Sequence, residues 1–370
     1  MKKVIEVSLI VIAGVAVYYG ITQLPTFFPR ELKTFNSDES LRQAALRSLT
    51  SMPKTYEGVL KLTNTNPNNP LSEEKIALGK LLFNEKLLSK NSDIACASCH
   101  KLTFGGDDNL PTAIGHNNQK NPFHLNTPTV LNSALYFRQF WDGRAKSVEE
   151  QAKGPIQAPF EMNMKPKEIV QRLESHGYYK DAFSSLGLEL NFENVTKVIA
   201  AYERTLVTRG AFDDFLDGNN EALSSQAKKG LAIFITRGCK GCHAGVTIGS
   251  QSIQKFPLRS FMDEWFDFEF VKNSEGIFPK IIVTDNTYPF KNSGKFKGKN
   301  DEYRFKVPSL RNVYRTAPYF HNGEVKELKE AVRIMGKYQL GQIFTDEELE
   351  QLVAFLKSLD GSIIEKSDGK

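Results

Sequence analysis

Cysteine is scarce in this chain of 370 residues, which holds four, and tryptophan is scarcer still, with two. So few thiols exclude a disulfide-stapled scaffold, and a 40% hydrophobic content is ample for ordinary cores without one. Strong charge of one sign is missing as well: 48 basic side chains meet 43 acidic ones, and the net +5 is spread thinly along the chain. Without a basic stripe, nucleic acid is excluded as a partner. Long apolar runs are absent after about residue 28. The exception lies at the start, where Met1-Lys2-Lys3 leads into an apolar stretch from Val4 to Leu24, interrupted by Glu6. At 1.5 Å per residue such a stretch spans about 31 Å, close to a hydrocarbon core, with both lysines on the cytoplasmic side. Residues 1–29 therefore read as a membrane anchor. A cleaved signal peptide ending near Gly14-Val15-Ala16 is the rival, although cleavage there leaves a short apolar region. Either reading exports the rest of the chain.

The four cysteines fall into two motifs of one kind, Cys96-Ala97-Ser98-Cys99-His100 and Cys239-Lys240-Gly241-Cys242-His243. Thioether attachment of a haem needs two cysteines three apart, with the following histidine beneath the iron. A zinc site, a redox dithiol or a structural disulfide explains the cysteines, but none predicts the histidine twice. Two covalent haem c groups are expected. Their attachment takes place outside the cytoplasmic membrane, in agreement with the export signal, so the chain reads as periplasmic and membrane-anchored.

A repeat organises the rest. Before the first motif, Ser72 caps a helix with acids in its first turn that carries Gly79 and Phe83; before the second, Ser225 to Phe234 carries Gly230 and Phe234. After each motif comes an amphipathic helix: Asn194 to Leu206 for the first, and for the second a helix opened by a Thr345–Glu348 capping box, with Leu349, Leu352, Val353 and Leu356 as its buried stripe. The expectation is a mostly α protein with two cytochrome c-like haem domains, residues 71–209 and 210–362, after the N-terminal segment. Residues 30–70, rich in Asn, Pro and Thr near their end, read as a linker wrapping the first domain, and 363–370 as a tail.

Between residues 70 and 360 the chain resembles the bacterial di-haem cytochrome c peroxidases and their relative MauG. The motifs that carry the resemblance are, in order, Ile114-Gly115-His116, Asn126-Thr127-Pro128-Thr129-Val130-Leu131-Asn132, Phe140-Trp141-Asp142-Gly143-Arg144, Glu150-Gln151-Ala152 and Pro159-Phe160-Glu161-Met162. The second half adds Phe305-Lys306-Val307-Pro308-Ser309-Leu310-Arg311-Asn312-Val313, Ala317-Pro318-Tyr319-Phe320-His321-Asn322-Gly323 and Ile334-Met335-Gly336. The resemblance implies that the first haem, on Cys96, Cys99 and His100, reacts with hydrogen peroxide, and that His116 is a distal ligand that must leave. It implies Glu161 as the acid-base residue, Gln151 as the group that orients peroxide, and Trp141 as the electron bridge. Asp142 and Arg144 are read as an ion pair holding the turn.

For the second haem, on Cys239, Cys242 and His243, the resemblance implies Met335 as the sixth ligand, a thioether that suits an electron-storing centre. His321 is placed near a haem propionate. A calcium ion held by Asn126 and by the carbonyls of Thr316 and Pro318 is implied too, as are homodimers and a small electron donor such as a cytochrome c, a cupredoxin or a quinol. His124 reads as an exposed loop residue. Residues 250–300 depart from the family pattern, with an aromatic and acidic stretch from Phe261 to Phe270. A lysine-rich loop then runs through Lys291, Lys295, Lys297 and Lys299 and reads as solvated surface or a donor-docking face. Two other functions compete: a MauG-like oxidase of a protein substrate, in which a tyrosine stands where Met335 does, and a plain electron carrier, which has no need of Glu161 or Gln151.

Overall fold

The computed structural model describes residues 35–258 and 288–367. The anchor or signal segment 1–29 and the stretch Phe261–Phe270 lie outside the described residues. Among those described, no helix is long and apolar enough to cross a membrane. Twelve α-helices occur there: α1 (Asp38–Leu46), α2 (Tyr56–Thr63), α3 (Glu73–Phe83), α4 (Cys96–Cys99), α5 (Val148–Gln157), α6 (Pro166–Ser175), α7 (Gly177–Ser185), α8 (Phe192–Glu203), α9 (Ala211–Leu216), α10 (Ser225–Thr236), α11 (Leu328–Ile334) and α12 (Asp346–Ser358). Two short antiparallel ribbons pair β1 (Thr208–Gly210) with β4 (Gly361–Ile363), and β2 (Ile253–Lys255) with β3 (Arg304–Lys306). The protein is mostly helical.

Caps and glycines explain the main pairs. Ser72 caps α3 by accepting from Lys75 N, Asn191 caps α8, and Thr345 and Glu348 form the full capping box of α12. Helix α3 packs on α8, and α10 on α12. Both crossings are closer than a side chain allows. A Cβ at Gly79 would lie 2.2 Å from Val198 O, and one at Gly230 1.9 Å from Gln351 O. The aromatic that follows each glycine then packs on the partner helix, Phe83 on Tyr202 at 5.3 Å and Phe234 on Phe355 at 5.1 Å between centroids. The glycine–aromatic repeat in the sequence is thus the contact that builds each bundle.

Residues 35–70, expected as a linker around the first domain, are folded instead. Leu41, Ala45 and Leu49 of α1 and its exit join the core of the second bundle, and Met52 and Val59 form a small cluster with Val207. The polar composition that suggested a linker is used in bonding. Asn66 and Asn69 each donate to Glu149 Oε1 at 3.0 Å, and that carboxylate also pairs with buried Arg204. Met52 N donates to Asp213 Oδ1 at 2.8 Å, and Asp213 meets Arg311 through two bonds of 2.9 and 2.8 Å, with both side chains buried. Such pairs hold position where solvent cannot compete.

The two halves meet about a pseudo-twofold axis. The loop Pro128 to Ala152 is repeated by Pro308 to Val332, with Asn132 matched by Asn312, Phe140 by Phe320, Trp141 by His321 and Gly143 by Gly323. The backbone repeats as well: φ is +60° and +58° at the asparagines and +68° and +69° at the phenylalanines. Matching bridges join Gln139 to Ala145 and Tyr319 to Val325. The loops exchange equivalent bonds, Asn126 N to His321 O at 2.8 Å and Lys306 N to Trp141 O at 2.7 Å. Trp141 and His321 therefore face each other across the axis, edge to face at 6.4 Å.

Candidate active site

Each Cys-x-x-Cys-His motif opens onto its own cavity. The first, of about 120 Å³, is lined by Cys96, Cys99 and His100, and the second, of about 250 Å³, by Cys239, Cys242 and His243. Neither cysteine pair is joined, and burial pushes the Cys99 and Cys239 thiols up to about 12, the opposite of a redox dithiol. Among the described residues no group of three or more His, Cys, Asp or Glu side chains is arranged as a metal-ion site. Both histidines are held alike. His100 Nδ1 lies 3.1 Å from Gly106 O and His243 Nδ1 3.3 Å from Ile248 O. A backbone acceptor on Nδ1 leaves Nε2 bare, which is how proteins orient an imidazole that binds iron. Burial lowers both pKa values, that of His243 to about 4, so the lone pair is free at neutral pH. Cysteines, oriented imidazoles and cavities together fit a covalent haem at each motif.

The first cavity is also lined by Gln151 and Glu161. Burial pushes the Glu161 carboxyl up to about 7, with Arg144 opposing. Arg144 binds Asp142 Oδ1 at 3.0 Å and lies over the Phe140 ring at 3.5 Å. Gly115 lets the neighbouring loop settle on this wall, since a Cβ there would lie 2.1 Å from Phe160 O. His116 is buried but does not line the cavity. Its backbone N donates to Glu161 O at 2.8 Å, while its ring Nε2 sits 3.2 Å from Pro159 O and 3.1 Å from Asn163 Nδ2. His124 is exposed.

The second cavity gathers Met335 and His321, together with Asn126, Thr316 and Pro318. Met335 stands where α11 passes into a π-helical turn, Met335–Leu340, a distortion that often marks functional positions. His321 is caged by aromatics, stacked on Phe305 at 4.5 Å. Burial drives its pKa to about 3, and its Nε2 has no partner among the described residues. Between the cavities stands a shared wall: Asn126, Thr127, Pro128, Phe140 and Trp141 line both. Trp141 Nε1 donates to Asn126 O at 2.9 Å, which fixes the indole in that wall.

Three features escaped the sequence reading. Buried Glu203 lines the first cavity beside Cys96, with burial raising its pKa to about 8. Buried Lys306 lines the second. Buried Asp107 and Asp108 lie near Asn126, Asp108 Oδ2 accepting from Thr127 Oγ1 at 3.0 Å. Nothing in the sequence marked them: Lys306 lies within the Phe305–Val313 motif, but a charged side chain is expected at the surface. In the lysine-rich loop Lys291, Lys295 and Lys299 are exposed, while the chain at Gly294 packs on Phe123 O so closely that a Cβ would stand 1.9 Å away.

Comparison with known proteins finds related chains. A family model described as di-haem cytochrome c peroxidase matches residues 73–221, and one for cytochrome c matches 227–360. The chain is 43% identical over 300 residues to cytochrome c551 peroxidase of Pseudomonas aeruginosa, covering 79% of this chain and 80% of that protein. It is 33% identical over 306 residues to the methylamine utilization protein MauG of Methylorubrum extorquens, covering 79% of each. Among solved structures, a MauG-like protein associated with microbial copper homeostasis superposes with a TM-score of 0.65 at 25% identity, over 82% of this chain and 94% of that one.

Proposed function

The chain belongs to the di-haem cytochrome c peroxidase family, which reduces hydrogen peroxide to water with electrons from a small redox donor, and we propose which of its residues carry that reaction. Membership implies covalent haem c at the two motifs. Cys96, Cys99 and His100 would hold one group, and Cys239, Cys242 and His243 the other, with Met335 as the second group's sixth ligand. The haems supply an iron site open to peroxide and an electron store behind it. The single observation that carries the assignment is that Glu161 and Gln151 share the cavity of His100, while Trp141 lines both cavities.

The protein's own part is positioning and proton transfer. Glu161, raised to about 7 by burial, takes the proton from the near peroxide oxygen and delivers it to the departing one, which leaves as water. Gln151, on the same wall, orients the peroxide by hydrogen bonding. His116 would hold the peroxide position at rest and have to leave it for peroxide to bind; Pro159 O, 3.2 Å from its Nε2, and Asn163 Nδ2, at 3.1 Å, are the partners available to the ring away from the cavity. Trp141, which lines both cavities, would carry electrons between the two groups.

Asn126, Thr316 and Pro318 are proposed to hold calcium. Asn126 Nδ2 donates to Leu110 O at 2.8 Å, which turns the amide oxygen away as a free acceptor, and oxygen donors of this kind suit calcium. The chain is proposed to work in the periplasm. The decisive test is Glu161→Gln, which keeps the shape and removes the proton carrier. Peroxide turnover should fall by roughly 10²–10⁴ with both haems retained. Unchanged turnover would sink the assignment.

A further inference from the structure

Lys306 is a buried charge for which neither peroxide chemistry nor the electron path gives a use. It is 5% exposed, and its side chain lines the second cavity. Among the described residues its ammonium meets neither a carboxylate nor a hydrogen-bond acceptor; it lies over the face of Tyr136, 4.6 Å away. One ring does not replace the water an ammonium loses on burial, and desolvation draws its pKa down to about 8. Nor is the chain free to swing it out. Its backbone pairs with Ile253 in the β2–β3 ribbon, and its N–H donates to Trp141 O at 2.7 Å. A fixed cation without a counter-ion, facing a cavity, calls for an anion inside that cavity.

The pseudo-twofold axis sharpens the point. The position equivalent to Lys306 is Asn126, which is neutral and makes the mirror-image backbone bond, to His321 O at 2.8 Å. The frame at this point of the wall therefore does not require a cation, and this one serves the second cavity alone. A c-type haem tethered through its vinyl groups keeps two carboxylates as its only charged substituents.

Resting on the di-haem reading, we propose that Lys306 binds a propionate of the haem in the second cavity and, by neutralising it, makes that haem the easier one to reduce. Reduction removes one positive charge from the iron, so an uncompensated carboxylate nearby disfavours it. At an effective dielectric of about 20 and a separation of roughly 10 Å, one charge changes the reduction equilibrium by on the order of tenfold.

The test is redox titration of the holoprotein, followed by absorption, in Lys306→Gln and Lys306→Arg, with covalent haem counted in each. Lys306→Gln should retain two haems and shift the second one's reduction equilibrium about tenfold toward the oxidised form, about 59 mV for one electron. Lys306→Arg should keep the wild-type value. Loss of the second haem from Lys306→Gln but not from Lys306→Arg also supports the carboxylate contact. A wild-type potential in Lys306→Gln with both haems present overturns the proposal, as does equal loss of haem from both variants, which marks a packing role. Fewer than two haems on the wild-type protein would instead overturn the di-haem reading beneath it.

Discussion

Replacing Gly230 by alanine tests the packing logic of the second haem domain at its tightest point. The new Cβ would stand 1.9 Å from Gln351 O, 2.5 Å from Gln351 C and 2.9 Å from Phe355 Cβ. Two of those atoms are helix backbone and cannot rotate aside. Restoring contact at about 3.4 Å requires α10 and α12 to separate by roughly 1.5 Å, more than the gap of 0.5–1 Å that already forfeits a quarter to a half of a dispersion contact. Overpacking typically costs about 1–3 kcal/mol and occasionally more, and a collision with two backbone atoms belongs at or just above that range, about 3–4 kcal/mol. Alanine in place of helical glycine returns about 1 kcal/mol, which leaves a net loss of roughly 2–3 kcal/mol. For a domain of this size that lowers the melting temperature by about 4–12 °C. The haem site should register it too, since Phe234 at the foot of α10 sits 6.5 Å from the His243 ring. The assay is thermal unfolding of the holoprotein followed by helical ellipticity and by haem absorption. Gly177, with nothing within 4 Å of its Cβ position, is the control and should accept alanine freely. If Gly230→Ala melts at or above the wild type, the crossing relaxes at little cost and the argument fails.

Two further predictions concern the wall between the cavities. Trp141→Phe keeps an aromatic there and loses only the indole and its bond to Asn126 O; stopped-flow reduction should show slower filling of the first haem from the second, with iron-ligand spectra unchanged. An unchanged rate would remove Trp141 from the path. Treating the holoprotein with a calcium-selective chelator should depress turnover and be reversed by calcium but not magnesium, because carbonyl and amide oxygens with several waters suit the larger ion; indifference to the chelator would dismiss the cation.

What was legible in the sequence follows the chemistry that fixes spacing. Thioether attachment allows one arrangement of Cys96, Cys99 and His100, and of Cys239, Cys242 and His243, so those residues could be read directly. Gly79 and Gly230 were visible as a repeat because close helix crossing tolerates no other side chain. Glu161, Gln151, Trp141 and Met335 stand alone in sequence and became legible only through resemblance. Residues 35–70 misled because an asparagine that bonds a buried carboxylate looks the same in sequence as one in a solvated linker. Lys306 was invisible for a related reason: charge predicts exposure, and its burial is imposed by the β2–β3 ribbon and the domain contact.

The pseudo-twofold axis explains how one frame yields two different sites. The loop ending at Gly143 feeds α5 as the loop ending at Gly323 feeds α11, and both helices begin at the same place, Val148 and Leu328. Each then presents equivalent residues to its own cavity: Gln151, Ala152 and Pro155 to the first, Ala331, Val332 and Met335 to the second. At the third of those positions the first domain has a proline ring with no donor and the second a thioether. On the proposed assignment, a donor at that place would close a metal site, and its absence would leave room for a small oxidant. Gln151 then adds hydrogen-bonding capacity where Ala331 has none. Across the axis the same economy separates Trp141 from His321 and Asn126 from Lys306. Functional asymmetry therefore resides in a handful of side chains on a repeated backbone, which is why the positive φ values of Asn132, Asn312, Phe140 and Phe320 are kept while the residues aimed into the cavities differ.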